Sequence, residues 1–168
     1  MKPLLVPDRF YTSLLDVDFH ALESRTHLIL DIDNTLLGTF ESAVDPAVVT
    51  LFNTLREEGV ITGICLVSNV GIATSRRTER VKRLASDLRA EYVFAYGWHV
   101  KPHPRPFLRA MDKMYATPEK TVVIGDQIFT DIRGGNELGM YTILVKPIGR
   151  DRWVTWYRRW LERRLPPL

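Results

Sequence analysis

The feature that most constrains this chain is a repeated alternation of short apolar runs and helix-like stretches. The runs are HLILDI (27–32), VITGICLVS (60–68), EYVFA (91–95), TVVIG (121–125) and YTILV (141–145). Apolar runs of this length, bounded by turn residues, read as strands buried on both faces. Residues 45–58, 71–89, 104–116 and 130–138 between them read as helices. The first helix opens on Asp45-Pro46, an N-cap followed by proline at the first helical position, and Gly59 closes it. Strands alternating with helices predict an α/β, Rossmann-like three-layer sandwich with a mainly parallel five-stranded sheet. Residues 1–168 read as a single domain, with an N-terminal arm over 1–25, a short helix near 18–24, and a last helix in 151–168.

No apolar run approaches the roughly 18–20 residues of a membrane-spanning helix. MKPLLVPDRFYTSLLD is too interrupted by proline and aspartate for a secretory signal. A single cysteine, Cys65, excludes an internal disulfide and suits a reducing, cytoplasmic setting. It sits inside a strand and reads as a small core residue rather than a nucleophile. The net charge of +3 is a property of the tail. Lys146, Arg150, Arg152, Arg158, Arg159, Arg163 and Arg164 face only Asp151 and Glu162, which leaves residues 1–145 at −2. Trp153, Trp156 and Trp160 share one helical face of that tail. That face could pack on the body as an ordinary last helix, or lie peripherally on an anionic membrane. Nucleic acid is not expected as a partner, because the body is acidic and carries no nucleic-acid motif.

In parallel sheets, ligands bind beyond the carboxyl ends of the strands. Here the first run ends in Asp31 and Asp33, and the second in Ser68 and Asn69. Lys101 follows the third, and Asp126 and Asp131 follow the fourth. Acids gathered at one edge repel each other unless a cation joins them, and Mg²⁺ with oxygen ligands fits that need. Lys101 as a point charge and Ser68 as a hydrogen-bond donor suit a bound phosphate. Together these groups describe metal-assisted phosphoryl transfer. Asp31 would attack phosphorus to give an aspartyl-phosphate, and Asp33 would protonate the leaving oxygen and then deprotonate water.

Each group also has a plainer reading. Asp and Asn are common in turns, Ser68 and Asn69 could cap the next helix, and a single lysine is usually solvated. A calcium loop is rejected: its sixth position is Leu36 rather than glycine, and its twelfth is Ser42 rather than glutamate. His99 and His103 flank Lys101 without the ligand spacing of a zinc site, and read as loop histidines. The coincidence of four strand ends favours a site over four separate caps and turns.

DIDNT (31–35), Ser68 in LVSN, Lys101 in VKPHP, and GDQIFTD (125–131) resemble, in order, the four motifs of the haloacid dehalogenase superfamily of phosphatases. The resemblance implies Asp31 as nucleophile and metal ligand, and Asp33 as acid/base and donor of its backbone carbonyl to the metal. It implies Thr35 as support for the first turn, and Ser68, Asn69 and Lys101 around the phosphoryl group. Asp126 and Asp131 would complete the Mg²⁺ site. Together with PDRFYTSLLDVD and the arginine-rich tail, the pattern is similar to the class IIIA, YqeG-like phosphatases over nearly the whole chain. That branch is similar to phosphatidylglycerophosphate phosphatases, which implies a phosphorylated substrate of phospholipid type. Val70 departs from the pattern, standing where a polar residue is expected.

Residues 34–67 and 69–100 are each largely used by one helix and one strand, so no large cap domain is expected. An open site suits a bulky substrate or a phosphate presented at a surface. The same chemistry would serve a soluble metabolite, a nucleotide or a phosphoprotein. A non-catalytic scaffold binding a partner through its basic tail is disfavoured, since such a module has no chemical need for Asp31, Asp33, Ser68, Lys101 and Asp126 together.

Overall fold

The structure, a computed structural model, describes residues 3–39, 41–70 and 75–148. In chain order its elements are β1 (Arg9–Tyr11), β2 (His27–Leu30), α1 (Pro46–Glu57), β3 (Gly63–Asn69) and α2 (Ser75–Asp87). They continue with β4 (Glu91–Ala95), α3 (Pro104–Met114), β5 (Thr121–Gly125), α4 (Arg133–Glu137) and β6 (Tyr141–Val145). A π-helical turn over Ile128–Ile132 runs directly into α4. The helix expected over 151–165 lies outside the described residues.

The helices start where their local chemistry predicts. Asp45 caps α1, its carboxylate accepting from Ala47 N–H at 2.8 Å with Pro46 following. His103 does the same for α3, its ring nitrogen accepting from Arg105 N–H at 3.1 Å ahead of Pro104.

The strands form one parallel sheet in the order β1-β6-β5-β2-β3-β4. Among the described residues it has six strands where the sequence predicts five. The added strand is Arg9–Tyr11, in the N-terminal arm, paired Arg9↔Ile143 to Tyr11↔Val145 at the sheet edge. Three residues carry no periodicity of their own, so the strand exists through its partner alone. The backbone just ahead of it is tied to the same part of the chain. Asp8 exchanges backbone and side-chain hydrogen bonds with Thr142 N–H and C=O, at 2.7 and 2.8 Å. Asn136 Nδ2 donates to the carbonyls of Leu4 and Val6, each at 2.9 Å.

Successive side chains of a strand point to opposite faces, and the core divides accordingly. Leu28 and Leu30 of β2 pack with Val48, Phe52 and Leu55 of α1 and Val81 and Leu84 of α2. Ile29 faces Phe107, Ala110 and Met111 of α3. The helix expected near 18–24 is instead a 3₁₀ turn, His20–Leu22, preceded by another at Leu14–Asp16. So short a segment cannot sustain an α-helix by itself. It is held by tertiary packing, with Phe19 edge-on to Phe52 at 5.9 Å between ring centres.

The strand order reverses at β2, which has β3 and β4 on one side and β5 and β6 on the other. The crevice where a parallel sheet binds ligand therefore opens between the carboxyl ends of β2 and β5. Among the described residues, single helices connect β2 to β3 and β3 to β4, and nothing is inserted over that crevice. Among the same residues, no helix is long and apolar enough to cross a membrane.

Candidate active site

Asp31 follows β2 directly, and its N–H still donates to Ile124 C=O of β5 at 3.0 Å. The chain then turns sharply. Ile32 C=O accepts from the N–H groups of Leu36 and Leu37, and Asn34 N–H donates to Leu37 C=O at 2.8 Å. Asn34 takes the left-handed conformation, φ 67°, which asparagine tolerates better than most residues. Leu36 and Leu37 bury their side chains beneath the turn. The result is a rigid platform presenting Asp31 inward and Asp33 outward, the latter with its side chain 39% exposed.

Lys101 comes from the loop after β4 and is 3% exposed. Its Nζ donates to Asp31 Oδ1 and, at 2.7 Å, to Asp131 Oδ1. Asn69, at the end of β3, seats this lysine by its backbone. Asn69 Oδ1 accepts from Lys101 N–H at 2.8 Å, and Nδ2 lies 3.5 Å from Lys101 C=O. The sequence expectation put Asn69 on the phosphate; here its amide holds the loop that carries Lys101. Ser68 lies buried beside it at the end of β3. Thr35 Oγ1 is 3.5 Å from both Asp31 Oδ2 and Asp126 Oδ1, so it spans the two strand ends. The other oxygen of Asp131 accepts from Gln127 N–H and Thr130 Oγ1, each at 3.3 Å.

Asp31, Asp126 and Asp131 each offer a carboxylate oxygen within 4.8 Å of the other two. Three acids against one ammonium leave the pocket short of positive charge, and hard oxygen donors at this spacing fit a hard divalent cation. The electrostatics agree. Burial pushes the Asp31 carboxyl up to about 7, with Asp131 and Asp33 adding to the effect and Lys101 opposing it. Lys101 is also raised above its ordinary value, which keeps it charged, because Asp131 and Asp31 outweigh its burial. A cation entering this pocket would keep Asp31 anionic and nucleophilic. Cys65 has no such role: burial pushes its thiol up to about 12.

Two contributors had no clear signal in the sequence. Arg80 of α2 reaches the site edge, Nη1 pairing with Asp33 Oδ1 at 2.8 Å and Nε donating to Glu41 C=O at 2.9 Å. Its only trace in the chain is the basic character of α2. The second is Gly125. A Cβ placed there would stand 2.4 Å from the Asp131 carboxyl carbon. Asp131 thus folds back over a strand end that only glycine leaves open. Gly125→Ala is expected to cost about 1–3 kcal/mol of stability, as overpacking does, and to displace Asp131 from Lys101. Urea unfolding would measure it, and a midpoint equal to wild type would show that Asp131 can move freely.

The chain is similar to several known proteins. The HAD-hydrolase-like family profile matches residues 99–149, a span that includes Lys101, Asp126 and Asp131. The chain is 31% identical to "Probable phosphatase YqeG" of Bacillus subtilis, over 98% of its own length and 91% of that protein's. It is 32% identical to the glyceraldehyde 3-phosphate phosphatase of Pyrococcus furiosus, over 55% of this chain and 38% of that one. Among solved structures, an uncharacterized Listeria monocytogenes protein superposes with a TM-score of 0.59 at 16% identity, covering 85% of this chain and 86% of that one.

Proposed function

The chain belongs to the HAD-like phosphatases, and from that premise we propose that it is a Mg²⁺-dependent phosphomonoesterase working through an aspartyl-phosphate at Asp31. The observation that carries the reading is the placement of Asp31, Lys101, Asp126 and Asp131 at one crevice. Asp31 attacks phosphorus, and the bond from phosphorus to the alcohol oxygen breaks. Asp33 gives its proton to that oxygen, then takes one from the water that attacks the phosphoryl-enzyme, releasing phosphate and restoring Asp31. Lys101 and Ser68 hold the phosphoryl oxygens, and Asn69 fixes Lys101 in place. Asp31, Asp126 and the backbone carbonyl of Asp33 would hold Mg²⁺, with Asp131 orienting Lys101 beside them. When bound, the ion supplies charge neutralisation for the phosphoryl group.

The substrate we favour is a phosphate borne by a lipid, phosphatidylglycerophosphate being the case the family resemblance suggests. What supports it is a crevice that no inserted element covers among the described residues, and the surface beside it. Trp98 is 95% exposed and Tyr96 61%, both on the loop that leads to Lys101, and Arg105 and Arg109 line a cavity with Tyr96. Exposed aromatics with basic neighbours suit the headgroup region of an anionic membrane. The same surface would carry the peripheral membrane contact expected of the tail.

A phosphate-release assay tests both levels. Aryl phosphate turnover is expected with Mg²⁺ and is expected to vanish in excess EDTA. Phosphatidylglycerophosphate in vesicles is expected to be a better substrate than glycerol phosphates or nucleotides. Metal-independent turnover would remove the Mg²⁺ assignment, and preference for a soluble ester would remove the lipid one.

A further inference from the structure

One cavity lies beside Asp33 and is lined by arginine. It measures about 730 Å³ and begins at Asp33. Arg76, Arg77, Arg80 and Arg83 of α2 form one wall. Arg76, Arg80 and Arg83 fall on a single face of that helix, next to the face that buries Val81 and Leu84. The opposite wall is Thr39, Glu41 and Ser42.

The acids in this groove are already engaged. Asp33 pairs with Arg80 at 2.8 Å. Glu41 Oε2 accepts from Gly38 N–H at 2.9 Å, and Glu79 is 3.1 Å from Lys82. Arg83 reaches the carbonyl of Ser42 at 3.5 Å. Arg76 and Arg77 have no acidic partner among the described residues. A groove that keeps two guanidinium groups unpaired beside two that are paired is complementary to an anion.

Its position says which anion. In the mechanism above, Asp33 protonates the alcohol oxygen as it leaves, so the alcohol must lie on the Asp33 side of phosphorus. The groove starts at that residue. We infer that the substrate is a phosphomonoester whose alcohol carries a second anionic group, a phosphate or phosphodiester, seated by Arg76 and Arg77. This rests on the assignment of Asp33 as proton donor. Phosphatidylglycerophosphate meets the description through its phosphodiester, and so does a small soluble bisphosphate. Arg80 then has a positioning role: its guanidinium joins Asp33 to the groove, so the second anion and the proton donor share one contact.

The test compares propyl phosphate with 1,3-propanediol bisphosphate, which differ only in the second anion. A third arm uses phosphatidylglycerophosphate in phosphatidylcholine vesicles. Wild type is expected to prefer the bisphosphate by about 10- to 100-fold in kcat/KM, the range of one charge-assisted hydrogen bond. In Arg76→Gln/Arg77→Gln that ratio is expected to collapse towards one, and Arg76→Lys/Arg77→Lys is expected to keep most of it, because the charge remains. In the double glutamine variant, loss of the bisphosphate preference together with loss of turnover on the vesicle arm assigns the anion to a lipid headgroup, and loss of that preference with vesicle turnover unchanged assigns it to a free phosphate; both support the groove. Equal kcat/KM for the two soluble esters in wild type, or a preference that survives the double glutamine variant, overturns the inference and leaves the phosphatase reading standing. No turnover on any arm overturns both.

Discussion

Lys101→Met is expected to lower the melting temperature by on the order of 10 °C. Methionine keeps the length and apolar stem of the side chain and removes the ammonium. Asp31 and Asp131 are then left facing each other in a buried pocket. Breaking a buried ion pair from one side costs about 3–5 kcal/mol. A chain of this size loses about 2–4 °C per kcal/mol. The loss is expected to be smaller near about pH 5 than near about pH 8, because the stranded carboxyls can take up protons. Thermal melting followed by circular dichroism in EDTA would measure it. A variant that melts with wild type would mean that the acids, not the lysine, set the geometry of this edge.

Asp31→Asn is expected to reduce kcat by at least about 10,000-fold, since an amide cannot form the acyl-phosphate and the remaining groups cannot replace a nucleophile. No phosphate should be trapped on the protein by acid quench. Stability is expected to move the other way. The Asp31 carboxyl has an ordinary value of 3.8 and is held up to about 7 in the folded chain. A group raised in this way binds protons on folding, so its contribution is complete below about pH 3.8 and is lost as pH rises through about 7. Asparagine has nothing to ionise and escapes that loss. In EDTA, the melting temperature of Asp31→Asn relative to wild type should therefore climb between about pH 5 and about pH 8. A falling difference would mean that Asp31 ionises as an ordinary surface acid does.

Much of this was legible in the chain because it depends on local pattern. HLIL, GICLVSN, EYVFA, TVVIG and YTILV announce themselves by apolar content between turn residues. Asp45-Pro46 marks a helix start through a bond made within a few residues. The strand-end rule then brings Asp31, Ser68, Lys101 and Asp126 to one edge without further knowledge of packing. What escaped depends on partners remote in sequence. Arg80 looks like any exposed helical arginine until the carbonyls of Gly38 and Glu41 are laid against α2. Asn69 looks like a phosphate ligand until the loop bearing Lys101 crosses it. Arg9–Tyr11 has no pattern to detect, only a neighbour.

That neighbour has a consequence for the order in which the protein can be built. Among the described strands, translation delivers Arg9–Tyr11 first, but the strand it joins there, β6, is made after the other four. Its other anchors, Asn136 and Thr142, also arrive late. β2 is caught in a milder version of the same delay. It can pair with β3 early, yet its other edge waits for β5. A nascent chain therefore carries Leu28, Ile29 and Leu30 with one edge open through most of its synthesis, the state in which unpaired strands invite aggregation. The crevice between β2 and β5 closes only when the second half of the chain arrives, so a ribosome-bound fragment has the nucleophile long before it has an enzyme.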